Sequence, residues 1–185
     1  MATTRRGFLL TMAGATGALA ACGNGVGSNG AATIDARVDA TRDFLFNRYA
    51  GTRELSQRAA GVLWIPLITE AGLGLGGAYG RGALRINDVT VDYYSAVKAS
   101  AGLQIGVQQA AHALFFMTPE ALQEFRSSNG WAAGADLKYA VADEGGTLQM
   151  DTTTSLAPII ALVFGQAGLM VGASVAGTKY TRIIP

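Results

Sequence analysis

The chain is poor in the groups that carry covalent and metal chemistry. Cys22 is its only cysteine and His112 its only histidine, which excludes an intramolecular disulfide and any His/Cys metal cluster. No Gly-x-Ser-x-Gly elbow occurs, and His112, between Ala111 and Ala113 and ahead of the apolar run Leu114 to Met117, reads as a core or edge histidine rather than a base. A carboxylate-only calcium site from Asp136, Asp143, Glu144 and Asp151 has no loop spacing behind it. We therefore expect no cofactor, no metal and no enzyme activity. Charge of one sign is also missing. Fourteen basic residues face thirteen acidic ones, so no nucleic-acid footprint shows.

What the chain has in abundance is glycine, concentrated after an apolar run in Gly61 to Leu84. Val62, Trp64 and Ile68 on one alternating face and Leu63, Ile65 and Leu67 on the other suit a strand buried on both sides, and Pro66 argues against a helix. Beyond it Gly72, Gly74 and Gly76 alternate with Leu73, Leu75 and Gly77, so one face of an extended segment carries no side chains. A second sheet, an aromatic ring or a lipid chain can then touch backbone directly. Gly72, Gly74 and Gly77 formally satisfy G-x-G-x-x-G, but they run into Tyr79 to Gly82 and a further β-like segment, with no helix to hold a pyrophosphate.

The first twenty-two residues read as an export signal. Arg5 and Arg6 precede an uncharged run, Gly7 to Ala21, which is short for a membrane span and right for a signal core. Thr4 to Leu9 resembles the twin-arginine signal, and Leu19-Ala20-Ala21-Cys22 resembles the lipobox whose cysteine is acylated and becomes the mature N-terminus. Residues 23–33 are rich in Gly, Asn and Ser and read as a flexible tether, with a reach on the order of 17 Å. With the leader removed the net charge falls to about minus one. Asp is absent just after Cys22, which in enteric-type sorting favours the outer membrane.

Residues 34–185 are expected to form one domain. Ile34, Val38, Thr41, Leu45 and Tyr49 recur at helical spacing, giving an amphipathic helix from Ile34 to Tyr49 with Thr33 as its cap; a second helix, Thr52 to Ala59, follows Gly51. Arg42, Arg48, Phe44 and Phe46 make a candidate lipid-binding face on the first, with Arg53 and Arg58 on the second. The competing reading is a docked helix with a salt-bridged outer face, which the nearby Asp35, Asp39, Asp43 and Glu54 favour.

The remainder is β-like: Val89 to Ala96, Leu103 to Val107 and Ala113 to Met117, then Trp131 to Ala142 and Thr147 to Thr154 joined through Asp143-Glu144-Gly145-Gly146. One helix interrupts it, opened by Thr118-Pro119-Glu120, stopped near Ser127 to Gly130, and burying Leu122 and Phe125. Thr152 to Thr178 is uncharged and long enough to span a membrane, yet alternation favours strands from Ile159 to Phe164 and Leu169 to Val175, with a turn at Gly165 to Gly168.

Gly61 to Leu84, Tyr94-Ser95, Gly102 to Gly106, Gly134-Ala135-Asp136 and Gly168 through Gly177, taken in order, resemble the landmarks of the SYLF domain. That lipid-binding domain occurs in actin-patch proteins of yeast and animals and in bacterial lipoproteins. The similarity covers roughly Arg53 to Ile183. It departs from the family where Tyr94-Ser95-Ala96-Val97 stands for Trp-Ser-x-Pro, and where His112 stands near a usual acid. The resemblance implies phospholipid binding, with anionic lipids bound by eukaryotic members. Actin binding, also known in the family, is not carried over, because the chain reads as exported and has no lysine before Lys98. The expectation is an α+β fold of mostly antiparallel strands, barrel- or sandwich-like, with N-terminal amphipathic helices and one mid-chain helix. It would be held at the periplasmic face of a membrane by acylated Cys22 and bind anionic phospholipid without catalysis. The alternative is an adaptor lipoprotein that binds a protein partner in the envelope.

Overall fold

A computed structural model describes residues 28–134, 137–142, 148–149, 154, 156–165, 168–169 and 174–185. The expected export signal, Cys22 and residues 23–27 of the tether lie outside these residues, as do Asp136, Asp143, Glu144 and Asp151. The α+β expectation holds. Three helices accompany a curled seven-stranded sheet that is antiparallel except where β4 meets β7.

The centre of the fold is one long hairpin. β1 (Gly61–Ile86) pairs with β2 (Val89–Phe116) along nearly its whole length. Asn87 and Asp88, both at positive φ (50° and 62°), make the two-residue turn. Asn and Asp tolerate that conformation best among residues with a side chain, and a turn of this hand matches the twist of the strands. The other edge of β2 is shared. β9 (Lys179–Ile183) pairs with Tyr93 to Val97, and β7 (Ile159–Gly165) with Ala111 to Phe116.

The remaining strands are short. β3 (Trp131–Ala132) extends the sheet beside β9, β4 (Lys138–Tyr139) and β8 (Gly168–Leu169) join β7, and β5 (Val141–Ala142) pairs with β6 (Leu148–Gln149) as a separate ribbon. Within the uncharged segment near the C-terminus Ile159–Gly165 and Gly168–Leu169 are strand, as expected of the first run and the start of the second. Ser174 and Val175, expected to end the second, are not strand, and Thr154, expected to end the preceding strand, is helical. Among the described residues no helix is long and apolar enough to cross a membrane. β9 was not anticipated from the sequence.

The hairpin folds back across itself. A Cβ on Gly82 would overlap the Trp64 carbonyl oxygen, and one on Gly80 would stand 2.5 Å from that of Leu67. At these two positions the bare glycine face meets the first part of the same strand, which excludes a ligand there.

Alternating residues feed two apolar clusters. Leu63, Ile65, Leu84, Tyr94, Leu114, Phe116 and Tyr180 lie in one, closed by α3 (Pro119–Ser127) through Leu122 and Phe125. Val62, Trp64, Phe115, Ile160, Leu162 and Phe164 lie in the other, covered by α1 (Gly30–Arg48) and α2 (Thr52–Arg58) through Ile34, Val38, Leu45 and Leu55. α3 opens as its sequence indicates: Thr118 Oγ1 accepts from the Ala121 amide at 3.2 Å, and Pro119 sits where no amide donor is needed.

Two expectations need correction. The face assignment of β1 fails after Pro66, because the register slips between Ile65 and Ile68; Ile68 joins Leu63 and Ile65, and Leu67 turns outward, 39 % exposed. A residue without an amide proton favours such a bulge, and one extra residue reverses every side chain that follows it. The first helix begins at Gly30 rather than Ile34, so residues 30–33 are its first turn and not tether, and Thr33 is not its cap. Instead Ser28 Oγ accepts from the Gly30 amide at 3.0 Å and donates to the Pro185 carbonyl at 3.1 Å, tying the start of α1 to the far end of the chain.

Candidate functional site

α1 lies along the sheet and its flanks differ. Residues two apart on a helix are about 200° apart around the axis, so Phe44 and Phe46 leave it on opposite sides. Phe46 packs edge-on against Trp64, with ring centroids 6.0 Å apart, and Arg53 stacks on the outer face of Phe46 at 4.8 Å. Phe44 stacks on Phe164 of β7, with centroids 6.3 Å apart and rings 14° from parallel, yet stays 38 % exposed. The single aromatic face expected from the sequence is therefore two faces, one on each side of the buried stripe.

The arginines divide in the same way. Arg42 shares the Phe46 flank and is surrounded by acids, with Asp43 at 3.2 Å, Asp88 at 3.4 Å and Asp39 at 3.8 Å. Beneath it Arg85, 7 % exposed, bonds Asp39 at 2.6 Å and lies 4.0 Å from Asp35. Asp35 in turn accepts from Thr90 and Tyr93, each at 2.8 Å. The Arg85 hydrogen bond holds the Asp39 carboxyl below its ordinary range, and burial together with the Asp35 bond pushes Tyr93 up to about 12. This network docks α1 on the turn end of the hairpin. Its aspartates are the residues that make the helix look neutral in sequence.

On the other flank Arg37 and Arg48 are exposed and form no ion pair among the described residues. Arg48 stands one turn beyond Phe44 and Arg37 two turns before it. Arg58 is likewise exposed, at the end of α2. Beside Phe44 runs an open groove of about 280 Å³. α1 supplies Ala40, Thr41 and Phe44; the β1 bulge supplies Pro66 and Leu67; Ala111 and Phe164 form part of the opposite wall. Among the described residues no charged side chain lines it. The groove could not be read from the sequence, because it depends on the Pro66 bulge turning Leu67 toward α1. Arg37 was likewise passed over, although its seven-residue spacing from Phe44 was there to read.

His112 is elsewhere, in the core. Its Nδ1 is 3.0 Å from Tyr180 Oη, and burial, helped by the charge of Lys98, pushes it down to about 3. It is neutral at ordinary pH and packed, as its neighbours indicated. Among the described residues no cluster of acids and histidine could hold a metal ion.

Residues 97–182, just under half of the chain, match the family described as Ysc84: Las17-binding protein actin regulator. This match is consistent with the SYLF resemblance read from the sequence. SYLF domains are lipid-binding domains. No curated protein matches the chain. The SYLF match runs from within β2 to within β9 and so includes α3, β7 and the second half of the hairpin. β1, the structural partner of β2 throughout, lies outside it, and so does α1. The match thus speaks for the class of ligand and leaves the face that meets it to the geometry.

Proposed function

We propose that this is an exported, lipid-anchored envelope protein whose SYLF domain binds anionic phospholipid without catalysis, with the Arg37, Phe44 and Arg48 flank of α1 against the membrane. The observation that carries the reading is the pairing, on one flank, of exposed apolar side chains with cations that have no acidic partner. Phe44 and Leu67 supply apolar surface, and Arg37 and Arg48 supply charge that anionic head groups attract. Arg42, neutralised by three aspartates, has little charge left to offer. Phe46 and Arg53 are engaged with each other, and Arg58 is exposed at the end of α2.

Arg5-Arg6 and the Leu19 to Cys22 motif support export and acylation at Cys22, which would hold the domain at the periplasmic face of a membrane, the outer one by the residues that follow. The acyl chains on Cys22 would hold the domain at one membrane, and the domain's own contact would engage anionic head groups of that membrane or an opposing one.

The test is co-flotation of residues 23–185, the chain without the signal and Cys22, so that neither an apolar leader nor an acyl group supplies the binding. Vesicles of phosphatidylglycerol are compared with phosphatidylcholine at low and high salt. Binding to phosphatidylglycerol alone, weakened by salt and about tenfold or more by Arg37→Ala with Arg48→Ala, is expected. Equal binding to both vesicles would refute head-group recognition, and no binding to either would refute membrane binding by the domain and turn attention to a protein partner.

A further inference from the structure

The groove beside Phe44 is more than an exposed patch, because it has walls. We infer that it takes up one acyl chain of an anionic phospholipid, drawn from the bilayer surface, while Arg37 or Arg48 holds the phosphate of the same molecule. The inference rests on the proposed membrane reading and deepens it by naming what enters the site.

Three observations lead there. The groove, about 280 Å³ and open, has room for part of an alkyl chain. Among the described residues its lining carries no charge, and its polar side chains are Thr41 and Gln109. A peptide laid there would leave most of its amide and carbonyl groups without partners, whereas an alkyl chain needs none. Finally, Arg37 and Arg48 stand about 16 Å apart along α1 at 1.5 Å per residue, one on either side of Phe44. A chain lying along the helix therefore meets a cation free of acidic partners beyond Phe44 in either direction. The polar end of the ligand is thus an anion.

Two substitutions close the groove from opposite walls. Ala40 is an exposed position of α1 and Gln109 an exposed position of β2, so Ala40→Trp fills the groove from the helix and Gln109→Trp fills it from the strand, neither entering a core cluster. Equal melting temperatures for both variants and the parent confirm that they fold.

The experiment uses residues 23–185 and phosphatidylglycerol vesicles containing phosphatidylglycerol spin-labelled midway along one chain, read by electron paramagnetic resonance alongside flotation. A motionally restricted component is expected with the parent. It should fall about tenfold or more in each variant, the effect of keeping about two methylenes out of the groove, while flotation persists through the arginines. Flotation without a restricted component would overturn the inference and leave the membrane reading standing. A restricted component unchanged in both variants would also overturn it, by placing the chain elsewhere. Restriction seen with spin-labelled fatty acid and absent with the phospholipid would overturn the choice of phospholipid. Failure to float at all would overturn the membrane reading, and the inference with it.

Discussion

Pro66, Arg85 and His112 each settle something larger than their own position. Pro66 carries the bulge that sends Leu67 outward, and with it the groove wall. Arg85 is nearly buried and answers two aspartates of α1, so its removal leaves Asp39 and Asp35 facing each other without their cation. We expect Arg85→Ala to lower stability by ~2 kcal/mol in urea unfolding, less than for a fully buried pair because Asp39 is half exposed. His112 gives a pH signature. Its ordinary value of 6.5 falls to about 3 in the folded protein. Above pH 6.5 both states are neutral and the stability is complete; below it the unfolded chain takes up a proton that the folded one refuses. The parent should therefore lose ~2 kcal/mol between pH 7 and pH 5, at about 1.4 kcal/mol per unit below 6.5. His112→Gln should lose much less over the same interval. Asp39, held below its ordinary 3.8, titrates outside that window.

At the level of elements, the hairpin crossing and the cap of α3 make opposite demands on small residues. Gly82→Ala forces a Cβ into the Trp64 carbonyl and should destabilise by ~3 kcal/mol or more, or prevent folding. Gly77→Ala meets only the Lys98 carbonyl at 3.5 Å, an ordinary contact, and should be neutral or slightly stabilising in thermal melting. Thr118→Ala removes the α3 cap and should cost ~1 kcal/mol. These elements also show what a sequence reader can see. α3 was legible because Thr118-Pro119 and the buried Leu122 and Phe125 act within one turn or two. The strand core around Trp64 was legible because alternation is local. The joining of two runs into one hairpin was not, since Asn87-Asp88 lacks the glycine that advertises such turns. The flanks of α1 were misjudged because Arg85 and Asp88, which bind its aspartates and Arg42, lie some forty-six residues away in sequence.

For the molecule as a whole, the curled sheet gives α1 a rigid bed, and the ion network holds its turn-facing flank while the other flank stays open. That asymmetry separates a docked helix from a binding helix, and on the proposed reading one helix is both. The central claim is that the Phe44 flank meets the membrane. It is tested most directly by placing an environment-sensitive fluorophore on residues 23–185, which hold no other cysteine, at Ala40→Cys or, for comparison, at Gln123→Cys on the exposed side of α3. With phosphatidylglycerol vesicles the label at position 40 should shift to the blue and that at 123 should not. A shift at 123 alone, or at neither position, would contradict the account.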